Sequence, residues 1–308
     1  MSTVFAALLP VFLVILLGVA LRKRSVLDEI HWRAVDQLCY NVLFPCLIFK
    51  EIAAADFSNL PVWSMAIAMM LAVCSMFALL FLLKTQICET LGLDASGFAS
   101  FFQGATRWHT FIALALIPLM FGPKALALGA LSAAAMTPLL NVVNVWVHGR
   151  YTSHEKLKPR SLLTSVLRNP FVLSSLSGVV WQVLGLPLPW PLYEVLDITG
   201  KGALGLALLS VGAGLQIENP TKVHLPVGGA VLLKLLVMPI FMFFWLWLLG
   251  VGGEAAKVAM LCSAVPTGSG AYVLARQMGG DAPLVARILT AQVVAACLTI
   301  PLVLSLTP

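Results

Sequence analysis

Apolar runs separated by short polar segments occupy almost the whole chain and predict ten membrane-spanning helices. An open sheet edge would leave backbone groups unsatisfied in lipid, and no run alternates apolar and polar residues as barrel strands do. The predicted fold class is therefore an all-α membrane protein. The predicted spans cover residues 2–21, 34–53, 61–83, 96–119, 123–148, 161–185, 192–217, 224–250, 254–277 and 283–307.

Composition agrees with this pattern and excludes several classes of protein. The 308 residues are 60% hydrophobic and 10% charged, with a mean hydropathy of +0.97, whereas soluble domains are about 45–50% apolar and about 25% charged. The formal net charge of +6 is spread too thinly to form a face that binds nucleic acid. The six cysteines are scattered singly, without the paired spacing of metal or redox sites, so we expect no metal and no cofactor.

The distribution of basic residues predicts how the chain is oriented in the membrane. Lys and Arg concentrate after the first span, between residues 22 and 33, and after the fifth span, between residues 150 and 160. Basic loops face the cytoplasm, so the 150–160 loop is predicted to be cytoplasmic and both termini to lie outside. Short loops without N-x-[ST] acceptors are compatible with a bacterial inner membrane.

The cytoplasmic loop at 150–160 divides the chain into two sets of five predicted spans, residues 1–149 and 161–308. Because each half has an odd number of spans, two similar halves are inverted relative to each other. Many secondary transporters use inverted repeats to build a site at the bilayer midplane. The spacing from His109 to Gly122 equals that from Pro266 to Gly279, which gives this repeat some support.

The ninth predicted span contains residues that break helices. Pro266 removes an amide donor, and Gly268 and Gly270 weaken the helix around it. Two half-helices meeting there would direct free N–H groups and a positive dipole end toward a carboxylate. The alternative interpretation is a simple kink that neighbouring helices relieve.

Polar residues in other predicted spans are further candidates. A charge at the centre of a span, such as Arg107, costs about 2.5–3.5 kcal/mol and either serves a function or pairs with a carboxylate. His109 is either a packing residue, a ligand or a proton relay. Asn41 either forms hydrogen bonds with the backbone groups that Pro45 leaves unpaired or faces the substrate. The long side chain of Lys234 either extends to the membrane–water interface or serves a binding site.

Several runs together resemble the auxin efflux carrier family, including its malonate- and malate-type carriers, over nearly the whole chain. The runs are YNVLFPCLIF at 40–49, RWHTFIALAL at 107–116, FGPKALALGAL at 121–131, PLLN at 138–141, the small-residue run at 202–214, LLKLLVMP at 232–239 and AVPTGSGAYVLARQMGGD at 264–281. The resemblance implies two inverted five-helix repeats, with the fourth helix of each broken and the two breaks crossing at the substrate site. It also implies a scaffold of helices 1, 2, 6 and 7, a transport unit of helices 3, 4, 5, 8, 9 and 10, and a homodimer.

One departure from the family pattern lies in the candidate site. Family members commonly have asparagine at the position of His109 and a smaller residue at that of Trp108. A bulky indole reshapes a pocket, and an imidazole changes its charge near neutral pH. A different anion or a proton-linked step is therefore plausible here.

These observations predict a secondary carrier of a small organic anion, such as a carboxylate, and not an enzyme. The chain has no G-x-x-x-x-G-K-[ST] loop for ATP. One alternative is a sodium-coupled carrier of bulkier anions, and another is an intramembrane serine hydrolase in which His109 activates Ser269. The expected partners are the anion, membrane lipids and a second copy of the chain. The predicted substrate-binding residues are Arg107, His109, Thr110, Pro266, Thr267, Ser269 and Asn41.

Overall fold

A computed structural model describes residues 2–55, 61–152, 169–215 and 225–306. Most of the predicted cytoplasmic loop, from residue 153 to 160, and the first residues of the predicted sixth span, from 161 to 168, lie outside the described residues. The ends of the seventh and tenth predicted spans, residues 216–217 and 307, also lie outside them, as does residue 224.

Helices are the regular structure throughout these ranges, which confirms the predicted all-α class. The α-helices are α1 Ser2–Lys23, α2 Glu29–Leu38, α3 Phe44–Ala53, α4 Val62–Leu82, α5 Lys84–Leu91, α6 Ala95–Thr106, α7 Thr110–Phe121, α8 Leu126–Tyr151, α9 Pro170–Val183, α10 Trp190–Gly214, α11 Leu225–Leu232, α12 Met238–Leu248, α13 Gly253–Ala264, α14 Gly270–Met278 and α15 Ala282–Ser305.

Six helical runs among the described residues are long and apolar enough to cross a membrane. They lie in α1, α4, α8, α10, α11–α12 and α15. The other predicted spans correspond to shorter or interrupted helices, namely α2–α3, α6–α7, α9 and α13–α14. The second span begins as a helix at Glu29, before the predicted residue 34, and α5 adds a short helix that the apolar pattern did not predict. A count of ten spans stays a prediction.

Two helical runs widen into a π-helical turn just before a proline. The turns are Cys39–Leu43, ahead of Pro45, and Leu233–Val237, ahead of Pro239. A proline donates no N–H, so it cannot continue the regular helical ladder. The residue preceding each proline instead donates its amide five residues back, to the carbonyls of Cys39 and Leu233 respectively. The two turns carry Asn41 and Lys234, polar residues in otherwise apolar stretches.

The closest helix contact in the fold joins α1 to α10. A Cβ atom placed on Gly212 would lie 1.8 Å from the carbonyl oxygen of Ile15, and one on Gly18 would lie 2.0 Å from that of Leu209. Glycine at both positions lets the two backbones touch, as small residues do in membrane proteins.

Two groups of helices pack more extensively within themselves than between groups. The first group contains α1, α2, α3, α9 and α10, in which α3 packs against both α9 and α10. Within this group, Nζ of Lys50 in α3 donates to the carboxylate of Asp197 in α10 over 2.8 Å. In the second group α4 packs against α8 and α12, and α15 packs against α6, α11 and α13. The scaffold and the transport unit that the family resemblance implies stay predictions.

Replacing Gly212 with alanine should destabilise the contact between α1 and α10. The new methyl group overlaps a backbone oxygen, which costs about 1–3 kcal/mol of unfolding free energy. Thermal unfolding of the purified protein in detergent measures this loss. Gly205→Ala in the same helix is the matched control, because a Cβ there meets nothing within 4 Å. Equal unfolding midpoints for the two variants would contradict the described contact.

Candidate functional site

The fourth predicted span is broken at residues 107–109. Helix α6 ends at Thr106, and α7 begins at Thr110. Arg107 has an extended backbone, with φ −67° and ψ 157°, and His109 also leaves the helical region. The break therefore frees the last carbonyls of α6 and the first amides of α7 in the middle of an apolar span.

The ninth predicted span is broken at residues 265–269, as the sequence predicted from Pro266. Helix α13 ends at Ala264, Val265 is extended with φ −69° and ψ 150°, and α14 begins at Gly270. The carbonyls of Gly268 and Ser269 already accept bonds from Ala271 and Tyr272, at 2.9 and 3.0 Å. The second half-helix thus starts directly at the break.

The two breaks lie against each other. A Cβ on Gly268 would be 2.9 Å from the carbonyl oxygen of Trp108 and 3.7 Å from the Cα of His109. Thr267 donates its hydroxyl to the carbonyl of Gly104 over 2.7 Å, with Arg107 O at 3.3 Å. Only a glycine allows the backbones to approach this closely at residue 268.

Two buried glutamines, which the sequence analysis missed, hold the crossing together. Gln292 of α15 accepts from the amide of Thr267 over 2.8 Å and donates to the carbonyls of Gly104 and Ala230, at 2.8 and 3.1 Å. Gln103 of α6 donates to the carbonyl of Ala271. Each lies within a largely apolar predicted span, and the high cost of such polar residues in lipid was the signal that could have identified them.

A cavity of about 530 Å³ opens beside the crossing. Its walls come from the start of the second span, the break at 107–109, the middle of α8, the start of α9 and the first half of α14. Aromatic rings form part of the wall, and the ring centroids of Tyr40 and Phe171 are 5.0 Å apart. The polar lining includes Asp36, Gln37, Tyr40, Asn41, Arg107, His109, Thr110, Asn141, Asn169, Ser269 and Gln277.

Arg107 reaches the cavity without a carboxylate partner. Its guanidinium donates to the side-chain oxygen of Asn141, a neutral group. None of the ion pairs among the described residues includes Arg107. Asp36 lines the same cavity, but its carboxylate accepts from Ser210 of α10 over 2.6 Å. The guanidinium charge is therefore available to an anion.

The other predicted site residues divide into two sets. His109, Thr110, Ser269 and Asn41 line the cavity. Pro266 and Thr267 are buried at the crossing and do not line it, because the hydroxyl of Thr267 points to the carbonyls of α6. They therefore hold the breaks together and do not face the cavity.

Hydrogen bonding at His109 and Asn41 bears on their alternative roles. His109 is 2% exposed, and no described residue forms a hydrogen bond with its Nε2, so Ser269 does not donate to that atom. Its ring stands edge-on to Phe111 at 5.7 Å. Asn41 donates to the carbonyl of Gln37 over 2.8 Å, which leaves its side-chain oxygen to the cavity.

Comparison with known proteins places the chain in a family. A sequence profile described as "Membrane transport protein" matches residues 3–146 and 157–304. The chain belongs to the membrane transport protein family. The match leaves out residues 147–156, which include the first part of the predicted linker.

Individual relatives of this family agree with the resemblance to auxin efflux carriers. A protein of Rhizobium meliloti (strain 1021) named "Putative malonate transporter" is 28% identical over 129 residues, which is 40% of each chain. Auxin efflux carrier components 6 and 8 of Arabidopsis thaliana are each 28% identical, over 119 and 118 residues. These matches cover 36% and 35% of this chain but only 20% and 31% of the plant proteins.

Gly268→Ala should push the two breaks of this transporter-family chain apart. The added methyl group meets the Trp108 carbonyl oxygen, and the overlap should cost about 1–3 kcal/mol of unfolding free energy. Gly270→Ala is the control two residues away, since a Cβ there meets nothing within 4 Å. Thermal unfolding of both proteins compares the two positions, and a Gly268→Ala protein as stable as the control would show that the breaks do not touch.

Proposed function

We propose that this protein is a secondary carrier of a small organic anion, a carboxylate, and that the cavity beside the crossing is its binding site. The observation that carries the proposal is Arg107, a cation without a carboxylate partner that faces the cavity from a broken helix. A charge placed at the middle of a membrane span is costly and is retained where it binds an ion or substrate.

The chemistry of the cavity suits a carboxylate joined to an apolar or weakly polar body. Arg107 supplies the charge and a planar pair of donors that matches a carboxylate. The N-terminus of α14 at Ser269 and Gly270 adds amide donors and the positive end of a helix dipole. Side-chain amides at Asn141 and Asn169 offer further donors, and the aromatic rings pack against the remainder of the molecule. Malonate and auxin, named for the relatives, are both carboxylates.

The position of the cavity supports alternating access. It lies between the expected scaffold, represented by α2 and α9, and the expected transport unit, represented by α8 and α14. On the other side of the crossing, α7 packs directly against α1 and α10. With the orientation that the basic residues predict, the open side faces the cytoplasm and the closed side faces outward. Sliding of one unit past the other would then expose the site alternately.

Hydroxyl oxygens near the crossing are among those that a sodium ion could use in the sodium-coupled alternative. The hydroxyls of Thr106 and Thr267 donate to helix carbonyls at 2.8 and 2.7 Å. The described residues also contain no group of three or more His, Cys, Asp or Glu side chains that would hold a metal ion. The sodium-coupled alternative, the inverted repeat, the ten spans and the homodimer all stay predictions.

Arg107→Gln should remove anion binding. A charge-assisted hydrogen bond contributes about 1.5–3 kcal/mol, so we expect a loss of about 10- to 100-fold in affinity. Binding is measured as the rise in unfolding temperature that a panel of mono- and dicarboxylates produces. Arg276→Gln, which alters an exposed arginine on α14, is the matched control. If Arg107→Gln is stabilised by the same anion as strongly as the control protein, the site is not at Arg107.

Asn141→Asp should abolish binding by a different route. The new carboxylate stands where the amide oxygen accepts from Arg107, so it pairs with the guanidinium and competes with the substrate. We expect a loss of anion-dependent stabilisation without a loss of intrinsic stability. Asn141→Ala is the comparison, because it removes the same hydrogen bond and the same amide donor but adds no charge, and it should lose less binding than Asn141→Asp. An Asn141→Asp protein that binds anions like the alanine variant would contradict this assignment.

A further inference from the structure

Lys234 is a second buried cation, and the cavity site does not use it. It lies on the π-helical turn Leu233–Val237 and is 1% exposed. Its Nζ donates to the carbonyl oxygen of Ser263 over 2.6 Å. No ion pair among the described residues includes Lys234, and the ionisable side chain that interacts with it is the thiol of Cys262. Its Nζ is therefore held by the backbone carbonyl of Ser263, and none of the ion pairs among the described residues gives it a carboxylate partner.

The carbonyl that Lys234 contacts has lost its helical partner because of the break. Ser263 is the second-to-last residue of α13, and its carbonyl would ordinarily accept from the amide of Thr267. That amide instead donates to Oε1 of Gln292, at 2.8 Å. The C-terminal end of α13 also carries the negative end of the helix dipole. An ammonium group at this position donates a hydrogen bond to the free carbonyl oxygen and is attracted to the negative end of the helix dipole.

The carbonyl groups at the two half-helix ends of the crossing accept hydrogen bonds from different kinds of donor. At the end of α6, the carbonyl of Gly104 accepts from the Thr267 hydroxyl and the Gln292 amide, which are neutral donors. At the end of α13, the donor is a cation. A role in filling space would not require a charge on one side only. The two breaks therefore differ in the side chain that donates to the end of the first half-helix, which is a lysine at α13.

In transporters with discontinuous helices, the carbonyl ends of half-helices coordinate the coupling cation. We propose that the ammonium group of Lys234 occupies this cation position permanently. The ammonium group then holds the end of α13 and the adjacent break in the arrangement that a bound sodium ion would otherwise maintain. Lys234 is thus a positioning residue, since it does not line the cavity. The proposal rests on the proposed carrier function in treating this end of α13 as a coupling-ion position.

Chemical rescue tests the proposal in the full-length protein. Lys234→Ala removes three carbons and the ammonium group, and n-propylammonium restores that set of atoms. We expect the variant to unfold at a lower temperature than the wild type and n-propylammonium chloride to raise its midpoint by about 2–4 °C. Propan-1-ol has a similar shape without the charge and should give no comparable rise. Equal effects of the alcohol and the ammonium ion would overturn the proposal.

Sodium supplies a second measurement on the same proteins. Wild type should unfold at the same temperature in sodium chloride and in choline chloride, because the cation position is filled. Lys234→Ala should be stabilised by sodium over choline, since the truncation opens a place lined by a free carbonyl. A sodium-specific rise in the wild type would overturn the proposal. Lys201→Ala is the matched control, because Lys201 is an exposed lysine on α10.

Conservative variants keep the proposal testable if Lys234→Ala does not fold. Lys234→Arg retains the charge and should keep most of the wild-type stability, whereas Lys234→Gln retains a donor without charge and should lose it. A glutamine variant as stable as wild type would overturn the role of the charge. All of these measurements are made without substrate. They therefore stand even if the protein carries no carboxylate, and a failed anion-binding experiment does not count against them.

Discussion

The structure depends on how two interrupted backbones satisfy their polar groups inside an apolar protein. A helix break at membrane depth is tolerated only where protein or a water-filled cavity covers it. Here each break covers the other: Thr267 donates to the carbonyl of Gly104, and Gln292 bonds both segments at once. Gly268 is part of the same solution, because a side chain at that position would hold the backbones apart.

This mutual covering leaves one side of the crossing free to build a site. Thr267 and Gln292 occupy the buried side of the crossing, whereas Arg107 and Ser269 line the cavity on the other side. Arg107 is then held by the neutral amide of Asn141 and stays available as a charge. The polar groups that stabilise the breaks and those that face the cavity are therefore separate sets, and a change in the second need not weaken the first.

The residues predicted the break at Pro266, and the family resemblance implied the break in the fourth span, but neither indicated which way the side chains point. Pro266 lacks an amide wherever it is placed, and Arg107 is costly in any apolar span, so both signals are local. Whether Thr267 faces the cavity or the carbonyls of α6 depends on an unwound segment, which has no helical periodicity from which to infer a face. Asn141 contacts Arg107, and Gln292 contacts Thr267, because their helices pack side by side in the fold. The sequence near Asn141 and Gln292 does not indicate these partners.

The distribution of close contacts also constrains how such a carrier can move. Gly18 and Gly212 bring the backbones of α1 and α10 together, and such a contact cannot slide without overlap of main-chain atoms. The crossing is tied by hydrogen bonds from α15, which makes the two breaks part of one body. Between these two rigid assemblies lies the cavity, where few atoms must be displaced. Under the proposed carrier function, relative motion would cost least along the boundary that contains Arg107, and the proposed binding site would then lie on the surface across which the two units move.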